Sequence, residues 1–158
     1  MRIIDIPNYG KITISNVIFD VNGTIQFKGR VSRKIIKRIK KLKKFYNIYL
    51  ISADTRGNLN ELAKILQVNY IRISSPTTSE AEAKNNELLK LGKGETVTIG
   101  NGINDNLMLK NAIIGIAIIG EEGSTQQTLL NSDIIFTKII DAIDFLLDEK
   151  IMIATLRA

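Results

Sequence analysis

From Asn16 onward, short unbroken apolar runs alternate with segments of helical period, and this alternation restricts the fold more than any other feature of the chain. The runs are NVIF (16–19), NIYLIS (47–52), YIRIS (70–74), TVTIG (96–100), IGIAII (114–119) and DIIF (133–136). Most are apolar throughout instead of alternating in and out, which is the pattern of parallel strands buried on both faces. Between them, helical spacing is expected over SRKIIKRIKKLKKF (32–45), NLNELAKILQ (58–67), SEAEAKNNELLKLG (79–92), DNLMLKNA (105–112) and STQQTLLN (124–131), with IIDAIDFLLDE (139–149) closing the series. Ser32 is placed to cap the first of these. Ser79 with Glu82 forms a capping-box pattern, and Gly92 marks that helix's end. Ahead of the series, RIIDI and KITIS flank the turn signal PNYG and read as a β-hairpin. The expectation is an α/β fold: one doubly wound, Rossmann-like parallel sheet with an N-terminal hairpin, forming a single domain over residues 1–158.

Composition narrows the chemistry. The chain has 158 residues, no cysteine and no histidine. Thiolate chemistry, the usual general base and the usual zinc ligand are therefore absent together. Any catalysis must use carboxylates, lysine, hydroxyls, amides or a hard metal ion. No apolar run is long enough to span a membrane, and Asp5 and Pro7 break up the N-terminal segment, so neither a signal peptide nor a membrane partner is expected and the cytoplasm is the expected location. Net charge is +6, with eight Lys or Arg between Arg33 and Lys44. Ile35, Ile36, Ile39, Leu42 and Phe45 recur there at helical spacing, so the stretch reads as an amphipathic helix with a solvated basic face. No interleaved aromatics support base stacking, and no nucleic-acid partner is expected.

In doubly wound sheets, ligands bind outside the carboxyl ends of the strands. The first parallel run leads into Asp20, Asn22, Gly23 and Thr24; the second into Ser52, Ala53, Asp54 and Thr55; the fourth into Gly100, Asn101, Gly102, Asn104 and Asp105. Lys84 lies on the helix between the third and fourth. Singly, each is what a turn former, a cap or a solvated lysine would give. Jointly they supply what phosphoryl transfer through a carboxylate requires: a nucleophile, carboxylates for Mg²⁺, a cation to spread the charge, and a hydroxyl and glycine-rich backbone for the remaining oxygens.

The ordered set resembles the haloacid dehalogenase (HAD) superfamily, from Val17 to the end of the chain. DVNGT (20–24) resembles the DxDGT first motif, Ser52 the Ser/Thr of the second, Lys84 the third-motif lysine and GNGINDNLML (100–109) the fourth. SAD (52–54) and the fourth motif are closest to P-type ATPases, and the whole resembles small soluble P-type-ATPase-like HAD proteins. The resemblance implies Asp20 as nucleophile, and Mg²⁺ held by Asp20, the Asn22 carbonyl and Asp105. Ser52, Lys84 and Asn104 would hold the phosphoryl group, helped by backbone N–H groups near Asn22, Gly23 and Ala53. Thr24 and Asn101 would lie one layer further out. GTIQFKGR (23–30) would form a small flap. The spacing leaves no room for a cap domain, which implies either a large substrate or closure of the site by a second copy.

Two departures matter. Asn22 stands where HAD phosphatases carry their general acid/base, and an amide cannot fill that role. Asn101 replaces the first acid of the fourth motif and removes a charge near the metal. Both asparagines precede glycine, a context prone to deamidation. Three readings stand: a slow Mg²⁺-dependent phosphatase acting on a phosphorylated small molecule or phosphoprotein, an autophosphorylated regulatory protein, and a phosphate-binding module without turnover.

Overall fold

A computed structural model describes residues 1–74 and 77–157; Ala158, the end of the expected span, lies outside the described residues. The hairpin is β1 (Arg2–Ile6) with β2 (Gly10–Ile14), paired antiparallel from Arg2 opposite Ile14 to Ile6 opposite Gly10. Its turn needs two left-handed residues, supplied by Asn8 (φ 63°) and Gly10 (φ 108°). The main sheet comprises β3 (Asn16–Asp20), β4 (Asn47–Ser52), β5 (Asn69–Arg72), β6 (Thr96–Gly100), β7 (Ile114–Ile118) and β8 (Ile134–Phe136). All its pairings are parallel, in the order β5-β4-β3-β6-β7-β8. The winding reverses between β3 and β6, so the crevice of a doubly wound sheet lies at their carboxyl ends.

Burial follows the apolar runs. Every residue of β3, β6 and β7 is buried, while the edge strands β5 and β8 are mostly half-buried or exposed. The helices are α1 (Arg33–Leu42), α2 (Leu59–Leu66), α3 (Glu80–Leu91), α4 (Asn106–Asn111), α5 (Gln126–Leu130), α6 (Ile139–Leu147) and α7 (Glu149–Leu156). The basic stretch forms α1 with Ile35, Ile39 and Leu42 inward and Ser32 as N-cap. The helix stops at Leu42, short of the expected Phe45, because Lys44 and Phe45 turn back on the carbonyls of Lys41 and Leu42. Arg38 leaves the basic face to make two bonds, 2.8 and 3.0 Å, to Asp144 on α6. The expected capping box closes at Ser79 and Glu82. The final helix is two: Asp148 ends α6, and its side chain accepts from the N–H groups of Lys150 and Ile151 to start α7. Ser15 joins the hairpin to the foot of the sheet, with its N–H on the Glu95 carbonyl and its carbonyl on the Asn47 N–H. Ile4, Ile6, Ile12 and Ile14 extend the core there, at the end of the sheet away from the crevice. No helix among the described residues is long and apolar enough to cross a membrane.

Candidate active site

The crevice is built around one buried ammonium. Lys84, fully buried on α3, places Nζ 2.7 Å from Asp20 Oδ1 and 2.7 Å from Asp105 Oδ1. Asp20 comes from the last position of β3, and Asp105 from the 3₁₀ turn Ile103–Asp105 that follows β6. Glu80, one turn before Lys84, lies 3.6 Å from the same nitrogen. Two buried carboxylates thus face one buried cation, with a half-exposed third at the edge. Burial, and then repulsion from Asp105, push the Asp20 carboxyl up from 3.8 to about 7, against the pull of Lys84 and Thr24. Attraction to Asp20 and Asp105 raises the lysine despite its burial, so it stays charged.

The turns hold these groups tightly. Asp105 Oδ2 accepts the N–H groups of Asn101 and Gly102, each at 3.0 Å. Its carboxylate folds back over Gly100, where a Cβ would lie 2.5 Å from Asp105 Cγ. Thr24 Oγ1 is 3.1 Å from Asp20 Oδ2 and 3.3 Å from Asn101 Oδ1, with a single proton to give to one of them. Gly23 (φ 81°) permits the turn after Asp20, and a Cβ there would strike Asn101 Nδ2 and Glu122 Oε2 at 2.4 and 2.5 Å.

The remaining expected residues surround this centre. Ser52 ends β4 beside β3, and its Oγ accepts the Asp54 N–H at 3.0 Å, so its proton is left to point elsewhere. The backbone N–H groups of Asn22 and Ala53 bond to nothing among the described residues. Asn104 is adjacent, but its amide donates to Glu80 Oε1 at 2.8 Å. Asn22 Oδ1 accepts from Arg56 Nε at 3.1 Å. The expected flap is a tight loop: Lys28 and Gly29 both take positive φ, and Phe27 and Arg30 exchange two 2.9 Å backbone bonds. Asp54 turns away from the centre, capping the Leu59 N–H and pairing with Arg72.

Arg56, Glu80 and Glu122 were not singled out in the sequence. Glu80 could have been found, since it precedes Lys84 by one helical turn. Arg56 and Glu122 lie on loops, and only tertiary placement brings them to Asn22 and Gly23. The donor set suits a hard divalent cation: two converging carboxylates, plus the Asn22 carbonyl, which the turn leaves out of a ladder that uses those of Val21 and Gln26.

No protein-family model matches the chain. An uncharacterized protein of Methanocaldococcus jannaschii is 52% identical over 61 residues, 39% of this chain and 66% of that protein. The chloroplast copper-transporting ATPase PAA1 of Arabidopsis thaliana is 29% identical over 106 residues, 65% of this chain but 11% of the transporter. The chain therefore spans less than two thirds of either relative. Among solved structures, 3-deoxy-D-manno-octulosonate 8-phosphate phosphatase from Moraxella catarrhalis, in complex with magnesium, phosphate and KDO, superposes with TM-score 0.71 at 19% identity, covering 91% of this chain and 94% of that one. A HAD-superfamily subfamily III A hydrolase from Legionella pneumophila gives 0.66 at 15% identity, covering 90% and 86%. The chain has the haloacid dehalogenase fold. A zinc-transporting PIB-type ATPase in its E2.Pi state superposes with TM-score 0.63 at 20% identity, over 80% of this chain and 20% of the transporter. In this HAD fold the crevice at the β3/β6 reversal carries Asp20, Lys84 and Asp105 together.

Proposed function

We propose that the protein is a Mg²⁺-dependent phosphohydrolase working through an aspartyl-phosphate on Asp20. The observation that carries this is the buried Asp20–Lys84–Asp105 cluster at the carboxyl ends of β3 and β6. An Asp20 carboxylate oxygen attacks phosphorus, and the bond to the leaving oxygen breaks. Lys84 moves its charge onto the phosphoryl oxygens as they leave solvent. Ser52 and the unpartnered N–H groups of Asn22 and Ala53 take the remaining oxygens. The leaving oxygen takes its proton from water, because the Asn22 amide has none to give. Water then attacks the phosphoryl group, releasing orthophosphate and restoring Asp20. Asp20, Asp105 and the Asn22 carbonyl would hold the Mg²⁺, which offsets phosphate charge when bound. The chain works on a phosphorylated small molecule or phosphoprotein, and the cytoplasm is the proposed location. A homo-oligomer is one way to cover the crevice.

The test is turnover of acetyl phosphate and p-nitrophenyl phosphate with and without Mg²⁺, with mass spectrometry of acid-quenched protein for a phosphate on Asp20. The second reading is a non-hydrolytic or autophosphorylated regulatory module. Its support is the amide at Asn22, fixed by Arg56 in place of an acid. Stable covalent phosphate without release selects it.

Two results should follow from the cluster. Asp105→Ala leaves Asp20 as the sole carboxylate of the metal set, beside a lysine that repels the cation. Its Mg²⁺ affinity should fall by about tenfold or more, since removing even an outer-shell partner of a metal ligand costs that much. An unchanged Mg²⁺ titration removes Asp105 from the set. The second concerns pH. The unfolded Asp20 ionises near 3.8, whereas the folded one keeps its proton to about 7. The folded state therefore binds more protons in that window, and stability falls as pH rises through it. Without Mg²⁺, the part of the melting temperature due to Asp20 should be lower at about pH 8 than at about pH 5, and Asp20→Asn should flatten the profile. Mg²⁺ should recover most at the higher pH. A profile that Asp20→Asn leaves unchanged refutes this.

A further inference from the structure

Charge is divided unequally around the mouth of the crevice. The flap that follows β3 carries Lys28 and Arg30, and the loop that follows β4 carries Arg56; all three are exposed. On the other side of β3, the loop that follows β7 carries Glu121 and Glu122, also exposed, with the Glu122 carboxylate reaching Gly23. An anion is drawn to the first set and repelled by the second. None of the three cations has an ion pair among the described residues. Glu61, which lines the same cavity as Gly29 at the flap tip, pairs with none of them. Like charges gathered without a counter-charge oppose one another, and an anion among them relieves that opposition.

The cluster is tied to the reacting centre by side-chain and backbone bonds. Arg56 Nε donates to Asn22 Oδ1 at 3.1 Å, which leaves both Nη groups with no acceptor among the described residues. Asn22 lies two residues beyond Asp20, in the turn whose carbonyl and N–H face the metal and the phosphoryl oxygens. The flap is pinned as well. Gln26, 4% exposed, donates Nε2 to the Gly29 carbonyl at 3.3 Å, and its backbone is bridged to Asn22. Arg56 Nη1 lies 3.8 Å from where a Cβ on Gly29 would sit, so the guanidinium rests against the flap tip, beside the residues that bear the other two cations. The backbone N–H groups of Lys28 and Gly29 at that tip bond to nothing among the described residues.

We infer that Arg56, with Lys28 and Arg30, forms a subsite for an anionic group carried by the leaving group, a phosphate or a carboxylate. The inference rests on the phosphohydrolase reading above. Buried residues, Lys84 and Ser52 among them, hold the transferring phosphoryl group, so the remainder of the substrate lies toward solvent. Half-buried Asn22 and exposed Arg56 stand on the side of that opening where an anion is attracted. The unspent Nη groups of Arg56 meet the oxygens of the anion in the fork geometry that phosphate and carboxylate share. Lys28 and Arg30 add charge from the flap. A neutral leaving group finds no partner there, and a cationic one is repelled.

The test compares propyl phosphate, 3-(phosphonooxy)propanoate and propane-1,3-diol bisphosphate, whose three-carbon chains end in a methyl group, a carboxylate and a phosphate. The full chain with Mg²⁺ should prefer the anionic esters in kcat/KM, counted per phosphoryl group, by about tenfold or more. Arg56→Gln should cut that preference by about tenfold. Arg56→Lys, which keeps the charge but not the fork, should restore only part of it. Raising the ionic strength should erode it, because the subsite is exposed. A merely structural disturbance lowers all three rates and leaves their ratios alone. A second measurement needs no turnover: Asp20→Asn protein should bind the anionic esters about tenfold more tightly than propyl phosphate, and Arg56→Gln in that background should remove the difference. A preference confined to the bisphosphate or to the carboxylate supports the subsite and assigns its ligand. Equal use of the three esters, or a preference that Arg56→Gln leaves intact, overturns the subsite and leaves the phosphohydrolase reading standing. No turnover of any ester, with Arg56-dependent binding still present, overturns that reading and keeps the anion subsite. No turnover and no difference in binding overturns both.

Discussion

Asp20→Asn should reduce phosphoryl transfer by about 10³-fold or more, the scale of losing a covalent nucleophile. The substitution keeps the shape of the side chain: Lys84 retains an oxygen to bond, and Thr24 can accept from the new amide N–H while giving its own proton to Asn101 Oδ1. Lys84 also keeps Asp105 at 2.7 Å, so the buried cation is not stranded. The fold should therefore survive, and circular dichroism should match wild type. Acid-quenched protein given acetyl phosphate should carry no covalent phosphate. If most of the turnover remains, Asp20 is not the nucleophile, and the cluster serves only to bind.

Asn22→Asp should have an effect of similar scale in the opposite direction. Proton transfer by a positioned side chain is worth about 10²–10⁴-fold, and this substitution puts a titratable group at the position that lacks one. Arg56 shapes the outcome. Its guanidinium, 3.1 Å from Asn22 Oδ1, would favour the ionised form of a carboxylate there. An ionised group is ready to accept a proton from attacking water but poor at giving one to a leaving oxygen. Breakdown of the aspartyl-phosphate should speed up most in the single variant. Esters with poor leaving groups should gain further in Asn22→Asp/Arg56→Gln. If freshly made Asn22→Asp protein is no faster than wild type at saturating Mg²⁺, the missing acid is not what limits the protein, and the binding-module reading gains. Spontaneous conversion of Asn22 in wild type is opposed by the fold. The Gly23 N–H that would attack its side chain is bonded to the Gln26 carbonyl at 3.0 Å, and the Gly102 N–H following Asn101 is bonded to Asp105.

Parts of this architecture were legible before any coordinates, for physical reasons. Strands buried on both faces must be apolar at every position, so NVIF, TVTIG and IGIAII declared themselves. Helix caps are local, so Ser32 and the Ser79–Glu82 box could be read from spacing. Asp20, Lys84 and Asp105 sit at the places where a doubly wound sheet puts its ligands, and their order along the chain was informative. The break between α6 and α7 escaped because Asp148 falls inside a run with continuous helical period. Its N-cap role depends on an extended backbone (φ −111°, ψ 104°) that the pattern does not require. Arg56 and Glu122 escaped because a contact between two loops is encoded in neither. At α2 residue type and role part company: Asn58 has the residue type of a cap, while Asp54, four residues earlier, performs the capping.

The two carboxylates on Lys84 stand at the carboxyl ends of adjacent central strands, Asp20 on β3 and Asp105 in the turn after β6; these strands are 80 residues apart in sequence at their first paired positions, but are zipped from Asn16–Thr96 to Phe19–Ile99. Local opening of the chain should therefore be unequal in what it costs. The edge strands β5 and β8 can fray with the charge cluster still closed, whereas separating β3 from β6 pulls apart Asp20 and Asp105 and leaves Lys84 between them without its partners. Hydrogen exchange should be slowest along that central pair, and loss of Mg²⁺ binding during denaturation should coincide with its release, not with the earlier loosening at the edges.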